Sequence, residues 1–386
     1  MKVLVMGAGR MGAIRVEDLA ADPRVTEVMI TNRNQPKAQA LADQFGATVV
    51  PWDNATDKVA DAVVVAVGTD GHEFVLNGVL PHALPVLCEK PIALTVEATQ
   101  AVIDLAKRSG SGLQIGFQRR FDSAIREVHD TIESGAVGTL YALTMTSHDF
   151  TPSTKEFMGG SGGIFRDLHV HDFDLIRWLT GSEIEKVYAT KAVREFADYA
   201  EFDDADVSSI NVTTLSGVQI TVSGARHGAL GHDVRLEVFG STDTLSAGLN
   251  QRTPLRTMEG DLAVNTDAYH GFVDRFRDAF RNETHSFVSF ALGEMDNPCP
   301  PESALESLRV AIACEQSIII GAAVEDGSDA DDSELPESLT FHGWITPTDI
   351  PAYYASADLV LMPSRWESLP MVIIEALRAG TPVMLS

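Results

Sequence analysis

Short runs of apolar, largely β-branched residues alternate with segments of helical period through the first third of the chain. Val3-Leu4-Val5-Met6, Val28-Met29-Ile30, residues 62–67 and residues 85–88 read as strands buried on both faces. Residues 35–45 and 95–108 carry apolar side chains at helical spacing between them. Strands alternating with helices predict a parallel, doubly wound α/β sheet with right-handed crossovers. After about residue 120 the pattern changes: strands are predicted over 140–147, 186–193, 208–214, 219–223 and 235–239, with few helices between them. That pattern suits an open, mainly antiparallel sheet. Helices over 272–292 and 301–320 follow. The expected organisation is therefore a Rossmann dinucleotide-binding domain over 1–120 and an α+β domain over 121–325. An acidic linker over 326–337 and a further βαβ fragment over 338–386 complete it.

At 386 residues, two or three domains are natural. No run of about eighteen apolar residues occurs, so no membrane span is expected. The N-terminus lacks the apolar core and cleavage site of an export signal, which predicts a cytoplasmic protein. Cys88, Cys299 and Cys314 are far apart and show no metal-ligand spacing, so they read as buried thiols. The formal net charge of −26 excludes a nucleic-acid partner, because phosphate binding needs a basic face. It also means that any anionic cofactor must find local positive groups.

Gly7-Ala8-Gly9-Arg10-Met11-Gly12 follows the first strand and opens a helix. The first glycine allows a tight turn, the second lets the backbone approach a pyrophosphate, and the third permits close helix–strand contact. A glycine-rich turn that binds nothing would look the same in isolation; the strand before and the helix after favour a dinucleotide. The position that often carries an acid for the adenosine ribose is Asn32, followed by Arg33. Asn32 can bond a ribose hydroxyl without repelling a 2′-phosphate, and Arg33 can pair with that phosphate or stack on adenine. NAD is the expected cofactor, with NADP left open.

Glu89-Lys90-Pro91 ends a strand at the carboxyl edge of the sheet, where ligands bind in open α/β folds. A lysine there can hydrogen-bond both a nicotinamide ribose and a substrate hydroxyl, although a surface lysine would end a strand equally well. Further on, Asp167 and His171 stand four apart in a helical pattern and are expected to share a face. Alcohol oxidation needs a base for the hydroxyl proton, and a histidine oriented by a carboxylate suits that role. A His/Asp-rich stretch could instead hold a metal, but three ligands in fixed geometry would be required, so no metal is expected. His169 points to another face and reads as structural.

Together, Gly7/Gly9/Gly12, Glu89-Lys90-Pro91, Gly116-Phe117-Gln118-Arg119-Arg120-Phe121-Asp122 and Asp167 with His171 resemble the Gfo/Idh/MocA oxidoreductase family, from residue 1 to about 325. Residues 161–167, 171–174 and 233–240 are most similar to its inositol 2-dehydrogenase subgroup. The resemblance implies an NAD(P)-dependent enzyme that oxidises a secondary hydroxyl of a cyclitol or sugar, foremost myo-inositol to its 2-keto form. It implies Lys90, Asp167 and His171 as the catalytic set, with Lys90 also touching cofactor. Gly7, Gly9, Arg10, Met11, Gly12, Asn32, Arg33, Thr69, His72 and Glu89 make up the expected cofactor-contacting set. A cis bond before Pro91 and a homotetramer or homodimer through the open face of the second sheet are implied as well. Two positions depart from the family pattern: Asn32 replaces the usual acid, and Asp70-Gly71-His72 lacks the proline that more often precedes this histidine. His72 either lies near the nicotinamide or caps its loop. A catalytically silent nucleotide sensor of the same fold is the alternative reading.

The segment from about residue 338 resembles the nucleotide-sugar half of retaining glycosyltransferases with two Rossmann domains. Glu367 and Glu375 match the acids that contact donor sugar and ribose in that family. Only about fifty residues match, without an acceptor domain, so a fragment without transferase activity is expected.

Overall fold

The computed structural model describes residues 1–54, 60–256, 258 and 267–325, and beyond these residues 352, 356, 360–362 and 383–385. Six parallel strands form the first sheet: β1 (Lys2–Met6), β2 (Glu27–Thr31), β3 (Thr48–Val49), β4 (Ala62–Val65), β5 (Val86–Glu89) and β6 (Leu113–Gly116). Their order is β3-β2-β1-β4-β5-β6, the doubly wound arrangement in which the chain reverses direction across the sheet beside β1. Val3 to Met6 and Ala62 to Val65 are buried at every position, as a sheet covered on both faces demands. The crossover helices are α1 (Arg10–Ala21), α2 (Gln35–Phe45), α3 (Thr69–Val79) and α4 (Val96–Ser109). Asn34 caps α2 by accepting from the Lys37 N–H, and Thr95 caps α4 through the Ala98 N–H.

After α5 (Ser123–Glu133) come β7 (Leu140–His148), α6 (Lys155–Ser161), a π-helical turn at Phe165–His169 and α7 (Val170–Thr180). Then follow β8 (Ile184–Ala192), β9 (Val207–Thr214), β10 (Gln219–Ala225), β11 (Asp233–Gly240) and β12 (Thr244–Ala247). The second sheet runs β12-β11-β7-β10-β9-β8-β13, with β13 at Val324–Glu325. All its pairings are antiparallel except β7 with β10. Along β9 and β10 buried and exposed positions alternate, so one face is packed and the other open.

The helix expected over 272–292 is interrupted. Phe276 leaves helical geometry (φ −114°, ψ 21°) between α8 (Phe272–Arg275) and α9 (Arg277–Ala291). The break lets α9 turn back onto the first sheet, where Phe287 and Val288 join Val3, Val5, Val16 and Leu19 in one buried cluster. A helix from late in the chain thus completes the dinucleotide-binding layer. α10 (Glu302–Ile320) packs against α7 and β8.

The chain divides into compact units at Met1–Asp329 and Ala330–Ser386. In the second, Val360–Met362 (β14) pairs in parallel with Val383–Leu385 (β15). The expected linker over 326–337 and the positions of Glu367 and Glu375 lie outside the described residues. Among the described residues no helix is long and apolar enough to cross a membrane.

Candidate active site

The dinucleotide turn is built from backbone. Gly7 has φ +120°, and a Cβ there would run into the backbone of Ala66 and Val67 at the end of β4. Its N–H donates to the Thr31 carbonyl at 2.9 Å, tying β1 to β2. A Cβ on Gly12 would overlap the Gly7 carbonyl, so the turn and the first coil of α1 fit only with hydrogen at both positions. Gly9, the N-cap, faces open space, and the free N–H groups of α1 carry partial positive charge. This cradle fits a pyrophosphate without any cationic side chain.

Around it, Asn32 accepts from the Ala8 N–H through Oδ1 (3.2 Å) and donates through Nδ2 to the Asn34 carbonyl (3.0 Å). Arg33 is exposed, its guanidinium 5.3 Å from the Trp52 ring and 6.0 Å from Phe74. Arg10 lies over Phe272 at 4.5 Å, while Met11 packs against the core. Thr69 opens α3 behind Gly68.

Two residues of the expected cofactor set direct their side chains to protein partners. His72 is buried, with Nδ1 2.6 Å from the Pro91 carbonyl and Nε2 3.2 Å from that of Val67. Burial pushes the ring below 6.5, so it carries one N–H, which the short contact to the Pro91 carbonyl uses, and it caps its loop. The Glu89 carboxylate turns inward and accepts from Arg15 Nε at 2.8 Å, because that buried guanidinium requires a counter-charge.

On the substrate side, the Lys90–Pro91 bond is cis, and Lys90 Nζ donates to Asp167 Oδ1 (2.9 Å) and to the Asp167 carbonyl (2.6 Å). The second Asp167 oxygen accepts from Arg226 at 2.8 Å. Burial pushes this carboxyl up, but the charges of Lys90 and Arg226 more than offset it and hold it at about 2. Asp167 is thus engaged by one cation on each oxygen, and among the described residues it makes no hydrogen bond to His171 Nδ1. His171 is buried, with Phe117 edge-on at 5.6 Å and, among the described residues, no hydrogen-bond partner on Nδ1. Burial, then the charges of Lys90 and Arg119, push it well below 6.5, so at neutral pH it is an uncharged imidazole able to accept a proton.

Arg226, at the end of β10, is a functional neighbour that the sequence reading missed. It also lies 3.6 Å from Asp149, which follows β7, and 3.9 Å from Asp204. Burial raises the Asp149 carboxyl above its ordinary value, against the pull of Arg226. A signal for Arg226 was present: Ile220, Val222 and Gly224 point inward along β10, and period two puts Arg226 on the same row.

The two arginines of the 116–122 motif brace α7. Arg119 pairs with Asp172 (2.5 Å), which also holds Ser147 and His169; Arg120 pairs with Asp174 (2.6 Å). His169 is fully buried between Asp172 and Ser208, both at 2.7 Å, in the structural place expected for it. Among the described residues no group of three or more His, Cys, Asp or Glu side chains is arranged to hold a metal ion.

Comparison with known proteins places this geometry. Residues 1–117 match the family described as "Oxidoreductase family, NAD-binding Rossmann fold", and residues 125–246 match the GFO/IDH/MocA C-terminal domain. The chain is 31% identical over 327 residues to myo-inositol dehydrogenase Hyg17 of Streptomyces leeuwenhoekii, covering 83% of this chain and 98% of that protein. The chain belongs to the Gfo/Idh/MocA family. Inositol 2-dehydrogenase of Rhizobium meliloti is also 31% identical, over 74% of this chain and 87% of its own. The crystal structure of a myo-inositol dehydrogenase from Corynebacterium glutamicum superposes with a TM-score of 0.77 at 30% identity, covering 84% of this chain and 98% of that one. This Gfo/Idh/MocA member is thus an NAD-dependent dehydrogenase acting on CH–OH donors, of the cyclitol dehydrogenase type. Residues 318–386 match the family "Glycosyl transferases group 1", beginning within α10.

Proposed function

We propose that the substrate is myo-inositol, oxidised at C2 to the 2-keto form, with His171 as proton acceptor and Lys90 as the hydroxyl-binding cation. The observation that carries this reading is the pairing of a buried, uncharged His171, free at Nδ1, with a Lys90 held by Asp167. NAD held over the turn at residues 7–12 would supply the acceptor for the hydride of the carbinol carbon. The chain's own part is to remove the hydroxyl proton and keep the oxygen in place. Lys90, an ammonium with three donors, can keep its bond to the Asp167 carboxylate and offer the other two to a substrate oxygen and a nicotinamide ribose hydroxyl. His171 takes the proton, and the adjacent positive charge of Lys90 favours the developing alkoxide. Asp167 acts as anchor for Lys90 and Arg226. Asp149, part-exposed beside Arg226, provides an acceptor for a second hydroxyl of a polyol. The names of the inositol dehydrogenases above support a cyclitol over an open-chain sugar. We also place a homo-oligomer contact on the open face of the second sheet, where Tyr141 and Tyr188 are exposed.

The test is NADH formation across a panel of myo-inositol, scyllo-inositol and pyranoses, with NAD and NADP in parallel. Turnover should be highest with myo-inositol and NAD, and Lys90→Met should lower kcat by about 10³-fold. Cofactor binding without turnover on any polyol would instead favour a sensor.

A further inference from the structure

Beneath the dinucleotide turn lies a buried ionic cluster that the chemistry above does not use. Arg15, in the second turn of α1, is fully buried. Its guanidinium donates to Glu89 Oε1 (2.8 Å from Nε), to Glu283 on α9, to Thr284 Oγ1 (3.0 Å) and to the Phe280 carbonyl (3.3 Å). Glu283 is fully buried, and its second oxygen has no hydrogen-bond partner among the described residues. Across the strand, a Cβ on Gly116 would stand 2.9 Å from Glu89 Oε2, so the absence of a side chain there leaves room for the carboxylate.

Such a cluster is a poor way to gain stability, since apolar residues of similar volume would do as well or better. Its place in the fold gives it another use. Arg15 belongs to the helix whose first turn cradles the cofactor, and Glu89 immediately precedes Lys90. Residues 89–91 are held at three points: Glu89 by Arg15, Lys90 by Asp167 and the Pro91 carbonyl by His72. We propose that Arg15 is a positioning residue: with Glu89 and Glu283 it locks the strand end that delivers Lys90 to the helix that holds the cofactor. This rests on the reading of Lys90 as a residue that touches cofactor and substrate.

The test is a double-mutant cycle on the full-length protein, reading NAD affinity by calorimetry without substrate. Lysine has three donors and no planar guanidinium, so it cannot keep all four of the partners that Arg15 holds. Arg15→Lys should therefore raise the Kd for NAD by about tenfold in the parent, and by less than about twofold in a Lys90→Met background. Equal weakening in both backgrounds would mean that Arg15 acts on α1 alone, and no weakening in the parent would mean that the cluster is only structural; either result overturns the inference. Should Arg15→Lys not fold, Glu89→Gln runs through the same cycle. If Lys90→Met by itself leaves NAD affinity and polyol turnover unchanged, the reading of Lys90 falls first and takes the inference with it. A failed Arg15 arm beside an effective Lys90→Met removes only the inference.

Discussion

On the proposed dinucleotide side, the groups offered to a pyrophosphate are backbone amides of one turn and one helix end. On the proposed substrate side, the groups gathered together are side chains from five separate places: Lys90 after β5, Asp149 after β7, Asp167 in the π-helical turn, His171 in α7 and Arg226 after β10. The first kind of site depends on shape. It fails when a Cβ intrudes, and it has no proton to gain or lose. The second depends on charge balance in a buried place, so each member's ionisation is set by the others. Arg226 and Lys90 keep Asp167 ionised, while burial and the nearby cations keep His171 neutral.

The contrast can be broken from either side. The largest effect is expected at His171: His171→Asn should lower kcat by about 10² to 10⁴-fold with little change in NAD affinity. In the parent enzyme His171 must be neutral to act, and its value lies well below 6.5. Activity should therefore persist as pH falls past 6.5, with the acid limb of kcat/KM below it. A limb at or above 6.5 would show that another group governs the proton. Next comes Gly12→Ala, where a Cβ overlaps the Gly7 carbonyl. Overpacking of this kind costs about 1–3 kcal/mol, so NAD should bind about tenfold more weakly or worse, at every pH tested.

A smaller effect is expected in the buried cluster. Burial and the neighbouring charge of Glu89 raise Glu283 from 4.5 to about 7, against the pull of Arg15; Asp174, itself held by Arg120, adds to the rise. Between those values the folded state holds a proton that the unfolded chain has lost. Stability should therefore fall as pH rises from about 4.5 to 7 and level off above. Melting curves of Glu283→Gln should show a flatter slope across that window; an unchanged slope would remove Glu283 as the source. The smallest effect is Asn32→Asp, which keeps an oxygen for the Ala8 N–H but adds charge near the ribose. It should shift preference toward NAD over NADP by a few-fold to about tenfold, since the site is half-exposed and screened.

What could be read from the sequence follows the same division. The glycine turn, the strand–helix alternation and the Glu89-Lys90-Pro91 strand end are local patterns, and local patterns carry their own geometry. The charge net is not local. Spacing and family resemblance pair Asp167 with His171, and neither reports that Lys90 and Arg226, distant in the chain, engage the carboxylate. Arg15 sits four residues before Leu19 on the buried stripe of α1, and nothing local announces the two distant carboxylates it meets there. The return of α9 to the first sheet depends on a break at Phe276 that the apolar pattern does not show.

The amide cradle also has a consequence for how quickly the site fills. With a formal net charge of −26, the protein repels an approaching dinucleotide at long range. The partial charges at the start of α1 attract it only within about a helical turn. Salt shortens the repulsive field to ~8 Å at physiological ionic strength. Raising ionic strength should therefore speed NAD association and leave its dissociation nearly constant, the reverse of what a lysine- or arginine-lined phosphate site would do.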